Sequence, residues 1–272
     1  MRKSAIAGVA AGALIAVGAA APALAVEDGM TELSVLHGIP DTPVDVYVNG
    51  TNTIDDFQPG DLAGPLDLAP GTYTVVLAAE DSTDDSSPVL GPIDLPLAAG
   101  MNNTAVAHLD AAGAPTANLF TTDISNTAAG EGRLTVRHTA AAPAVDILAG
   151  GSPVLEGVEN PQEGILNLPA GTVSAAVAAA GTTDPVIGPA DVNVAEGVNT
   201  IVYAWGSLED GNLDLAIQTI EGLHSAPAGV PSGELGLAAQ QSSTPWVAGA
   251  ALLAAAGVAF AVRRQTVSVK ND

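Results

Sequence analysis

"LSVLHGIPDTPVDVYVNG", Leu33 to Gly50, reads as a strand, a proline-bearing turn and a second strand. "LTVRHTAAAPAVDILAGG", Leu134 to Gly151, restates it. His37 matches His138 and Asp45 matches Asp146. "LAPGT" (68–72) returns as "LPAGT" (168–172), and "LGPID" (90–94) as "IGPAD" (187–191). "NT" at Asn103–Thr104 is read against Asn199–Thr200. The period, near 100 residues, is too long for a solenoid repeat and is the size of one small β-domain.

Within each copy hydrophobicity alternates with the strand period of two. Val44, Val46 and Val48 share one face; Asp45, Tyr47 and Asn49 share the other. Asn49–Gly50 is a type I′ hairpin signal. Pro70–Gly71 and Gly91–Pro92 punctuate turns. The runs predict seven strands in copy one: 32–37, 44–49, 65–69, 72–79, 92–98, 103–109 and 117–122. Short antiparallel strands with regular turns give an all-β fold of two tandem Ig-like, Greek-key sandwich domains, 31–125 and 130–223. "VSAAVAAAG" (173–181) has helical propensity because alanine is the best helix former. It stands where copy one has the strand-like "YTVVLAAED", so it is read as a strand. Each copy, holding a full strand set, is expected to fold alone.

The ends carry targeting signals. Arg2 and Lys3, an apolar stretch and "ALA" at 23–25 make residues 1–25 a signal peptide. Residues 246–262, "WVAGAALLAAAGVAFAV", have no charge and would span about 25 Å as a helix. Arg263, Arg264 and Lys270 follow, so the 263–272 tail is cytoplasmic and the rest lies outside. The partner at this end is the membrane. A Pro/Gly/Ser-rich linker, 224–245, lifts the domains from it. The layout resembles Gram-positive wall-sorting signals, of actinobacterial type. "QQSSTP" (240–245) stands where an LPxTG-like motif belongs, which implies a retained anchor.

Of 30 acidic residues 29 lie in the exported part, with only Arg133 and Arg137 of the 7 basic ones, giving a charge near −27. Such a surface excludes nucleic acid and anionic lipid as partners. The absence of cysteine excludes disulfides, thiol catalysis and Cys-ligated metal.

The two hairpin motifs resemble the DUF4397 family. Its opening strand ends in His and is followed by a proline turn and Val-Asp-Val; "APGTYTV" and "GPIDLPLAAGMNNTAV" resemble its later strands. Copy two departs by having Ala141 near the place of Pro40 and by lacking the Tyr-Val-Asn-Gly end. The resemblance implies a surface β-sandwich without an established activity, and it carries over no catalytic residue.

The repeated His37, Pro43, Asp45, His138, Pro143 and Asp146 are therefore read as structural. Each His is in phase with its strand's apolar face, where it bonds a loop. Each Asp accepts backbone N–H groups in the preceding turn or answers the histidine. Catalysis would need a facing carboxylate or a nucleophile elbow, and neither spacing occurs. The chain is read as a binding or structural module, with a wall polymer or surface protein as partner. An extracytoplasmic hydrolase using His, Asp and Ser is the alternative. No cofactor is expected. Only Glu80, Asp81, Asp84 and Asp85, absent from copy two but for Asp184, offer oxygens for a weak Ca²⁺ site. Tyr203 and Trp205 share a face and are read as core.

Overall fold

A computed structural model describes residues 29–224, which are all-β, with sixteen strands and no helix among them. The signal, linker, anchor and tail segments lie outside the described residues. Among the described residues no helix is long and apolar enough to cross a membrane.

Copy one holds β1 (Thr31–Gly38), β2 (Val44–Val48), β3 (Thr51–Phe57), β4 (Leu62–Leu68), β5 (Gly71–Ala79), β6 (Pro88–Leu97), β7 (Asn102–Leu109) and β8 (Pro115–Thr121). Copy two repeats them as β9 (Glu131–His138), β10 (Val145–Ala149), β11 (Ser152–Val158), β12 (Glu163–Pro169), β13 (Gly171–Ala179), β14 (Pro185–Val194), β15 (Asn199–Trp205) and β16 (Asp214–Ile220). Four sheets result, in the orders β4-β1-β7-β8, β3-β2-β5-β6, β12-β9-β15-β16 and β11-β10-β13-β14. Each copy is thus a pair of four-stranded sheets. The alanine-rich β13 is a strand, as its place in the duplicate requires.

Each copy has eight strands, not seven. The missed β3, "TNTIDDF", is an exposed edge strand without alternation. Its pairing with β2 slips between Val44↔Phe57 and Val46↔Ile54, leaving Asp55 and Asp56 as a bulge. The turn before it is the anticipated one: Asn49 and Gly50 both have positive φ (50° and 77°). The later "NT" correspondence shifts by one residue. Asn102 stands opposite Glu32 and Asn199 opposite Arg133, so Asn102 matches Asn199.

Val44, Val46, Leu77 and Phe57 fill the core of copy one, and Leu134, Val136, Ile147 and Val192 that of copy two. A third core lies between the copies, which belong to one compact unit. It joins Leu36, Val106 and Phe120 of copy one to Ile201, Tyr203, Trp205 and Ile220 of copy two. The sheets β4-β1-β7-β8 and β12-β9-β15-β16 are therefore inner layers, covered on both faces. The inner strands β1/β7 and β9/β15 pair in parallel, and β7 and β15 are buried at every residue. Burial on both faces is the usual setting of parallel pairs.

Candidate functional site

The two motif histidines are fully enclosed, at 0% and 1% exposure. Strand alternation turns His37 to the interior beside Leu33 and Val35. Its Nε2–H donates to the Thr42 carbonyl (2.7 Å), and its ring stacks on Phe57 with centroids 5.7 Å apart. His138 does the same with the Pro143 carbonyl (3.1 Å). Each ring thus fastens the proline-bearing loop to the end of its strand. Nδ1 of both rings is buried without a partner.

Burial holds both imidazoles below their ordinary pKa, against a smaller upward pull from the backbone bonds. Asp61 also pulls His37 upward, and His108 pushes His138 further down. The folded state keeps both rings neutral, whereas the unfolded chain binds protons near 6.5. Their stability contribution is complete above that pH and is lost as pH falls toward the depressed folded values. The melting temperature of the wild type should therefore drop more between pH 7 and pH 5 than that of a His37→Gln/His138→Gln variant. Comparing the two cancels the carboxylates common to both. Parallel curves would show that neither ring titrates on unfolding.

Asp45 and Asp146 point to the outer face of their sheets, away from the histidines. Asp146 accepts N–H bonds from Gly157 (2.8 Å) and Gly181 (2.7 Å). Gly157 lies in the β11 bulge, whose extra residue leaves a backbone donor without a ladder partner. Asp45 accepts the matching bulge N–H, from Asp56 (3.0 Å). The repeated aspartate exists because the bulge exists, and its bonds reach a neighbouring strand and a following turn. It does not use the preceding loop, and it does not meet the histidine.

The copies differ at the residues around that aspartate. Gly157 and Gly181 have φ of 65° and 79°, and copy one has Asp56 and Asp81 there, at 52° and 61°. Asp45, Asp55 and Asp56 bring carboxylate oxygens within 4.8 Å of one another. Asp55 foremost, then burial, then Asp81 and Asp45, raises the Asp56 pKa. Left-handed backbone disfavours residues other than glycine. Asp56→Gly and Asp81→Gly should each raise the melting temperature, by about 2 °C. A fall would mean that the aspartates contribute contacts that outweigh the strain.

Glu80, Asp81 and Asp84 are exposed and Asp85 half-buried in the β5–β6 turn. Asp84 accepts the Ser86 N–H (3.0 Å), and bonds from Ser86 lower its pKa. Among the described residues the three-carboxylate group is Asp45–Asp55–Asp56, and the four turn residues form no such group. The loop also covers Tyr47, whose hydroxyl donates to the Ser82 carbonyl (2.8 Å). Loss of water, then the carboxylates of Asp45, Asp84, Asp85 and Asp55, raise the Tyr47 pKa.

Sequence reasoning missed a buried polar assembly that lies between the copies. Arg137 is wholly buried. It donates to Glu163 Oε2 (2.8 Å), Tyr203 Oη (2.7 Å) and Thr122 Oγ1 (3.2 Å). Its guanidinium lies 4.6 Å from the Phe120 ring centroid, a cation–π distance. The Tyr203 hydroxyl donates to the Gln218 side-chain oxygen, which also accepts from Thr104, while the Gln218 amide donates to Ser34, both of copy one. Burial raises the Tyr203 pKa, so the phenol remains a donor. Arg133 is 3% exposed and pairs with Asp123 (3.3 Å) in the segment joining the copies. The charge count singled out Arg133 and Arg137 as the only basic residues of the span, but nothing in it marks them as buried. Trp205 lies against Gly60 of copy one, where a Cβ would come within 3.0 Å of the indole.

Residues 31–148 match the family model described as "Domain of unknown function (DUF4397)". The matched segment covers copy one and runs through the His138–Asp146 motif of copy two. Among curated proteins none matches the chain.

Proposed function

We propose that this chain, which carries a DUF4397 domain over residues 31–148, is a membrane-anchored surface protein. It presents its four sheets as a structural or partner-binding module and performs no catalysis. The observation that carries this reading is the use of the repeated motif. Its histidines and aspartates, the chemically able residues that recur, are committed to holding loops and bulges of the sandwich. Duplication then enlarges the presented surface, and the shared core fixes both copies as one unit. The exterior supports an extracytoplasmic setting: Arg133 and Arg137, the only Lys or Arg among the described residues, are buried, leaving an anionic, solvated surface. The partner is a wall polymer or a surface protein. Residues 1–25, 224–245 and 246–262 supply export, stalk and anchor.

A broad-specificity protease added to intact cells tests the topology. Residues 26–245 should be released or degraded while a tag placed after Asp272 stays protected. A chain left whole under conditions that digest other surface proteins would refute it.

A further inference from the structure

Duplication lets each copy serve as a reference for the other. At the foot of each inner sheet three residues stand side by side on neighbouring strands, on the face turned toward the other copy. In copy two they are Asn167 of β12, Arg133 of β9 and Asn199 of β15. In copy one they are Asp67 of β4, Glu32 of β1 and Asn102 of β7. Glu32 shares its face with Ser34, which Gln218 of copy two reaches, and with Leu36 of the shared core. The copy-two row is closed. Arg133 donates to Asn167 Oδ1 and to the Asp123 and Ser125 carbonyls, and Asn199 Oδ1 accepts from Thr135. The copy-one row has acceptors in excess. Its one side-chain donor is the Asn102 amide, which goes to Glu32 Oε2. That bond sets the amide beside the carboxylate and leaves Asn102 Oδ1 buried without a partner, in a residue 4% exposed. Glu32 is itself 8% exposed. Arg133 and Arg137, the only Lys or Arg among the described residues, pair elsewhere, with Asp123 and Glu163. A carboxylate taken out of water calls for a cation. Exposed Asp67, directly opposite Glu32, adds a like charge, which is unfavourable across a strand pair.

We propose that the row Asp67–Glu32–Asn102 holds a Ca²⁺ ion. Two carboxylates and an amide oxygen are the hard ligands this cation takes, and its flexible shell is completed by water from the exposed Asp67 side. One ion answers all three anomalies. It neutralises Glu32, turns the Glu32–Asp67 repulsion into shared attraction, and gives Asn102 Oδ1 a partner. In copy two the Arg133 guanidinium supplies the positive charge at the same place, so that row needs no ion. The Asp45–Asp55–Asp56 group carries no such signal, because its buried member, Asp45, already accepts the bulge N–H of Asp56. The inference rests on the comparison of the copies and is independent of the anchoring proposed above.

Thermal melts of the full chain test this, in chelator and across a Ca²⁺ series reaching about 5 mM, above the roughly 10⁻⁴–10⁻³ M dissociation range of extracellular modules. NaCl holds the ionic strength constant, so that diffuse screening cancels. Ca²⁺ should raise the wild-type melting temperature saturably, by about 4 °C. Glu32→Gln keeps an acceptor for the Asn102 amide and removes the charge. It should melt at or above the wild type in chelator and below it in Ca²⁺. Asp67→Asn places the copy-two residue at an exposed position, where folding is not at stake, and should lose most of the shift. Asp55→Asn should keep the whole shift; its loss there would put the ion on the Asp45 group and overturn the proposal. A wild type that Ca²⁺ does not stabilise overturns it as well, as does a shift that survives in both Glu32→Gln and Asp67→Asn.

Discussion

Arg137→Ala should destabilise the protein by about 3 kcal/mol, the low end for breaking a buried ion pair, because Glu163 keeps 26% exposure. The substitution leaves three groups without their donor: the Glu163 carboxylate, the Tyr203 oxygen and Thr122 Oγ1. It also empties the space over the Phe120 ring. Urea titration should show a lower midpoint with little change of slope. Arg137→Lys should restore little, since one ammonium cannot reproduce a planar fork aimed at three partners. Full rescue by lysine would mean that charge alone, not the fork, holds this site.

Separating the copies should have the second large effect. Each has a core between its own sheets, but the inner sheet of each is one wall of the shared core. Copy two alone would bare Ile201, Tyr203, Trp205 and Ile220, and would leave Arg137 facing water in place of Phe120 and Thr122. Copy one alone would bare Leu36, Val106 and Phe120. Each half, expressed as 28–127 or 128–224, should melt well below the joined protein and self-associate through the bared sheet, in the manner of exposed apolar patches. Calorimetry with sedimentation decides the matter. Two monomeric halves melting at the parent temperature would show that the shared core contributes nothing.

Most of each sandwich was legible because period-two alternation and duplicated turn signals report one-sided burial directly. Val44-Asp45-Val46 sorts its own faces, and β13 is a strand despite its alanines because β5 is one. Alternation fails where burial is not one-sided. β3 is exposed nearly throughout, so its residues carry no pattern. β7 and β15 are buried on both faces, so their pattern shows that they are interior without showing what covers them. The docking of the copies was illegible for the same reason: Leu36, Arg137 and Gln218 occupy positions that an isolated sandwich would turn to solvent. The motif histidine was placed by phase with Leu33 and Val35. Its aspartate could not be placed, since its partner is a bulge that no periodicity announces.

The position of the two arginines has a consequence for how this protein meets its surroundings. Trypsin-like enzymes cut after Lys or Arg in extended, accessible chain. Between residues 29 and 224 they have only Arg133 and Arg137, both in inner strand β9 under a second sheet. Cleavage there requires the copies to part or the strand to unfold, so tryptic nicking measures opening of the fold and not access to its surface. Amine-directed reagents likewise find no lysine in the span. Folded, the 29–224 span is indifferent to a whole class of proteases and labels; unfolded, it offers such proteases two targets four residues apart near its centre.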